Sequence, residues 1–101
     1  MTDYKKAWNK LKKDLMANED PLHLKGCMYM TSQQIVNHTA TIDLGHVNDD
    51  EGKSNCKAKA EAITSASAFK RFEEEIGVKS VSYEIKENAY YSDHMYMRIR
   101  Y

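Results

Sequence analysis

His38, Asp43, His46, Asp49, Asp50 and Glu51 crowd into 14 residues, and side chains of these types can bind a metal ion. Spacing argues against it. On an extended strand rising ~3.3 Å per residue, His38 and His46 stand ~26 Å apart, beyond any shared coordination shell. His38 and Asp43 point to opposite faces of such a strand. Only His46 with Asp49 or Asp50 could converge, as the seed of a small metal-dependent hydrolase. The run 48–52 lacks the alternating acids and terminal glutamate of a helix-loop-helix calcium site. Acids just before a helix suit its positive end instead. The sequence therefore predicts no metal and no cofactor.

Cys27 and Cys56 are the two thiols. Cys27 falls in a predicted strand, and Cys56 in the first turn of a predicted helix, where the helix start would lower its pKa. No histidine adjoins either one, and no phosphate-binding glycine loop, Gly-x-Ser-x-Gly or His-Glu-x-x-His run is present. The expectation is a protein that is not an enzyme.

The last strand carries more information. His94, Tyr96, Arg98 and Arg100 alternate with Met95, Met97, Ile99 and Tyr101, so one row points outward and the other inward. Tyrosine and arginine dominate interface hot spots because each offers a large contact area with a polar tip. Aromatics among arginines also suit stacking against unpaired bases, although the signature of an RNA-recognition sheet is missing. The plain alternative is a solvated face whose arginines keep a sheet edge from aggregating. The predicted contact residues are Tyr90 and Tyr91 at the turn, with His94, Tyr96, Arg98 and Arg100 on the strand.

The elements that position these residues follow from periodicity. Tyr4, Trp8, Leu11 and Leu15 form one stripe of a helix over 3–17, capped by Thr2 or Asp3 and stopped before Pro21. Residues 24–31 suit a strand. A second strand places Val36, His38, Ala40, Ile42 and Leu44 on one side, and Thr39, Thr41 and Asp43 on the other. Thr31 with Gln34 matches a capping box, a rival signal for one helical turn between these strands. Ser54 can cap the next helix, whose stripe runs through Ala58, Ala62, Ala66, Phe69, Phe72 and Ile76 to Gly77. Val81, Tyr83 and Ile85 then alternate with Ser80, Ser82, Glu84 and Lys86. Tyr29 and Tyr83 lie 54 residues apart at matching places, a hint of two αββ halves.

The result is one α+β domain over residues 1–101. Its order is α-β-β-α-β-β, with a four-stranded, mainly antiparallel sheet and two helices on one face. Fifteen basic and 15 acidic residues cancel, which argues against a chain built mainly to neutralise nucleic-acid phosphates. No apolar run approaches a membrane span, no signal-peptide core is visible, and two cysteines are too few to staple a secreted domain. A cytoplasmic location is expected.

Tyr4-x-x-Ala7-Trp8-x-x-Leu11-Lys12 resembles the opening helix of small accessory proteins of phages and prophages of Gram-positive bacteria. The likeness covers about ten residues. It implies an enzyme-free protein of the host-cell cytoplasm that binds and redirects a host factor. Inhibitors of bacterial defence systems, anti-CRISPR proteins among them, belong to that class. The expected function is therefore a binding protein that occludes a protein partner such as a host defence protein or nucleoprotein complex. A single-stranded nucleic-acid binder on the same face is the alternative, and edge pairing of the final hairpin would give a homodimer.

Overall fold

The computed structural model describes residues 3–87 and 93–101. Helix α1 (Tyr4–Leu15) is capped by the Asp3 carboxylate, which accepts the Lys6 N–H at 3.0 Å. It buries Ala7, Trp8, Leu11 and Leu15. Lys12 and Lys13 occupy its last turn, where cations offset the negative helix end.

The strand expected over 24–31 contracts to β1 (Met28–Tyr29). Two local devices shorten it. The Asp20 carboxylate accepts the N–H groups of Leu24 and Lys25, each at 2.8 Å, and holds the preceding chain in turns. On the other side, the rival capping signal prevails. Thr31 Oγ1 accepts the Gln34 N–H at 3.2 Å, Gln34 Oε1 accepts the Thr31 N–H at 2.9 Å, and helix α2 (Ser32–Val36) forms. Val36 therefore leaves the predicted strand stripe and is 72% exposed. His38, at φ 55, turns the chain into β2 (Thr39–His46).

The predicted second long helix is two helices. Helix α3 (Asp50–Ser65) starts earlier than expected, because the Asp49 carboxylate, not Ser54, caps it by accepting the Gly52 N–H at 2.7 Å. It ends at Ala66, whose ψ of 139° is extended, and α4 (Ser67–Ile76) begins at once. Hydroxyls of Thr64 and Ser65 bond back to carbonyls of Ala60 and Glu61, the competition that makes such residues weak helix formers. The break resets the helical phase. The buried stripe of α3 is Gly52, Cys56, Ala60 and Ile63, while Ala58 is exposed and Ala62 and Ala66 are half-buried. Phe69, Phe72 and Ile76 are buried on α4 as expected, and Gly77 closes it at φ 71.

Strands β3 (Ser80–Lys86) and β4 (His94–Arg100) complete a four-stranded antiparallel sheet in the order β1-β2-β4-β3. Ala40, Ile42, Leu44, Met97 and Ile99 lie on its inner face and share one core with Trp8, Ile63 and Phe69. Trp8 and Phe72 rings meet at 5.7 Å, tying α1 to α4. Val81, Tyr83 and Ile85 stand opposite Ile99, Met97 and Met95, hence on this same inner face. The helices do not reach them fully: Tyr83 is 50% and Ile85 54% exposed. Tyr29 pairs with Thr41 on the outer face, so Tyr29 and Tyr83 are not equivalent positions.

Candidate binding face

Between Asp43 and Gly45 the β2–β4 register shifts, with Gly45 at φ 113, a backbone state that favours glycine. The Asp43 carboxylate organises this bulge. Asp43 Oδ1 accepts the Gly45 N–H at 2.9 Å. The same carboxylate lies 2.9 and 3.1 Å from Nδ1 of His94 on the neighbouring strand. A carboxylate accepts, so Nδ1 is the donor in this contact. The imidazole stacks beside Tyr96, ring centroids 6.2 Å apart.

Asp43 stands opposite Tyr96, and Tyr96 opposite Glu84. One step along, Thr41 stands opposite Arg98, and Arg98 opposite Ser82. The outer face is thus a continuous field of Tyr29, Asp43, His94, Tyr96, Arg98 and Glu84. Thr41 is buried within it because Gln34 Nε2 donates to its hydroxyl at 2.8 Å. Burial, helped by the Asp43 charge, pushes the Tyr96 phenol above its ordinary value, and burial does the same at Tyr29. Both stay neutral O–H donors near pH 7. Burial, with Asp43 second, also pushes the Cys27 thiol up, so the thiolate needed for nucleophilic chemistry is disfavoured there.

His94, Tyr96, Arg98 and Arg100 lie on the outer face as their alternation requires, opposite buried Met97 and Ile99. Tyr90 and Tyr91 lie outside the described residues. Arg98 is not wholly available: its Nε sits 2.8 Å from Glu84 Oε2, a charge contact without hydrogen-bond alignment. Exposed Arg100 makes no ion pair among the described residues. The sequence reading missed the parts played by Asp43 and Tyr29. Asp43 and Tyr29 carry a strand-parity signal, but the register that joins Asp43 to His94 is not written in either strand.

Elsewhere the reactive residues have structural partners. Cys56 is buried under the bulge, with Sγ 3.3 Å from the Leu44 carbonyl oxygen, and burial pushes its thiol up. The expected lowering by the helix start does not apply, because α3 begins at Asp50 and places Cys56 in its second turn. The His38 ring lies 5.6 Å from Tyr4 and 5.5 Å from Tyr101. His46 and Asp49 both border Gly52, where Asp49 is engaged as the α3 cap. Among the described residues no three His, Cys, Asp or Glu side chains converge, and no helix is long and apolar enough to cross a membrane.

Comparison with known protein families, curated proteins and solved structures finds no match.

Proposed function

We propose that this chain is a non-enzymatic binding protein whose outer sheet face occludes a protein partner. The observation that carries this reading is the Tyr29–Tyr96–Arg98 field, exposed at Tyr29 and half-buried at Tyr96 and Arg98, on a sheet whose opposite face takes α1, α3 and α4. Its aromatic tips are neutral donors, its charges have mixed sign, and its backbone is fixed by antiparallel pairing. A preorganised surface of this kind loses little entropy when it docks.

Asp43 and Glu84 lie inside the aromatic field, and Glu84 already offsets Arg98. Acids at those positions repel phosphates, which favours a protein over a single-stranded nucleic acid. Salt separates the two readings. Affinity for nucleic acid falls steeply with ionic strength through counterion release, whereas an aromatic protein contact responds much less.

The narrower reading, an inhibitor of a host defence system carried by a phage, is supported by the likeness of α1 alone. Ala7, Trp8 and Leu11, which contribute to that likeness, are core residues here, so packing also accounts for them. Action in the cytoplasm fits two cysteines that remain unpaired thiols. The test is affinity capture from extract of the cells that express the chain, with identification by mass spectrometry. Loss of the captured protein with Tyr96→Ala plus Arg98→Ala supports the outer face, and unchanged capture contradicts it.

A further inference from the structure

The two edges of the sheet are built differently. Strand β1 presents only two residues, and Lys5 Nζ reaches across to the Met30 carbonyl oxygen at 3.1 Å beside it. Strand β3 presents seven residues with no proline and no inward-pointing charge. Its inner row, Val81, Tyr83 and Ile85, overhangs the helix layer, with Tyr83 and Ile85 about half exposed. Between this row and α3 runs an apolar groove lined by Lys57, Ala60, Glu61, Tyr83 and Met95. Glu84 and Lys86 charge only the outer row of this edge, and a long edge with an apolar inner row is open to pairing.

We propose that this edge pairs antiparallel with the same edge of a second copy, making a two-fold dimer with a continuous eight-stranded sheet. The strand is complementary to itself. With the two-fold axis at Tyr83, Val81 faces Ile85 of the other copy, Tyr83 faces Tyr83, Ser82 faces Glu84, and Ser80 faces Lys86. No like charges stand opposite each other in that register. The groove adds Lys57 and Glu61, one helical turn apart on α3, so each copy offers a cation and an anion to its mate. The chain's net charge is zero, so long-range repulsion does not oppose association. The partners of the outer face are not involved. Dimerisation sets two such faces side by side on one sheet, whatever they bind.

Sedimentation equilibrium of the full chain from low to high micromolar concentration tests this, alongside Tyr83→Lys plus Ile85→Lys. Both positions are half exposed, so the variant keeps its helical and sheet circular dichroism. The expected result is a wild-type mass twice 11.7 kDa and a variant mass of 11.7 kDa. A second variant, Lys57→Glu, weakens the dimer by placing two acids together on the groove, and adding Glu61→Lys restores it. A wild-type chain that is monomeric throughout overturns the proposal and leaves the row to a different protein. A double-lysine variant that stays dimeric overturns it as well.

Discussion

His94 Nδ1 and the Asp43 carboxylate meet at 2.9 Å although 51 residues separate them. Their pairing joins the two central strands at the β2 bulge and orients the imidazole. The Asp43 side chain is only 16% exposed, and it also holds the Gly45 N–H. Asp43→Ala removes the acceptor for both donors. The expected loss is about 1–3 kcal/mol of folding stability, read by urea unfolding. An unchanged midpoint would mean the bulge stands without its carboxylate.

Trp8 is fully buried against Phe72, so Trp8→Ala is expected to cost about 3–5 kcal/mol. Among the described residues its indole N–H has no hydrogen-bond partner. Trp8→Phe removes that orphan donor and keeps most of the ring, so it is expected to cost clearly less. Denaturant midpoints of the two variants check the order, and equal losses would contradict it.

Gly52 has no room for a side chain. A Cβ there would lie 2.6 Å from the His46 carbonyl oxygen and 2.9 Å from His46 Nδ1. Alanine must therefore push the start of α3 away from the end of β2, against a backbone atom that cannot step aside. Gly52→Ala is expected to destabilise by about 1–3 kcal/mol, despite alanine's better helix propensity. A rise in melting temperature would contradict this.

The thiols and Tyr101 give chemical readouts. A thiol reagent at neutral pH should label Cys27 slowly and Cys56 only after unfolding, since Cys56 is buried and Cys27 half-buried. Tyr101 is raised above its ordinary 10.0, first by burial and then by Tyr4. Its folded pKa exceeds the unfolded one, so its contribution to stability is whole below pH 10.0 and fades as pH rises through the folded value. Tyr101→Phe keeps the packing and should flatten the alkaline fall in melting temperature.

Strand parity and helix stripes were legible where one signal acts alone, as in Tyr4–Leu15 and in the alternation of His94–Arg100. They failed where two local signals compete. The capping box at Thr31 cut short a strand that hydrophobicity extended, and a helix that periodicity joined breaks at extended Ala66, just after two residues whose hydroxyls bond back to helix carbonyls. Buried alanines also misled: Ala58 and Ala60 have the same propensity, and only the early Asp49 cap and the position of β2 decide that Ala60 packs. The Asp43–His94 contact depends on a bulge that shifts register by one residue, and no local pattern encodes it.

Binding affinity for the captured partner, measured with purified wild type and Tyr96→Ala plus Arg98→Ala, tests the central claim most directly. Lys70→Ala, on the exposed side of α4, serves as the control. Two anchor truncations at an interface centre should cost about 2–4 kcal/mol together, about 30-fold or more in Kd, while the control stays near wild type. If the double variant binds within about twofold of wild type while its fold is intact, the outer sheet face is not the docking surface.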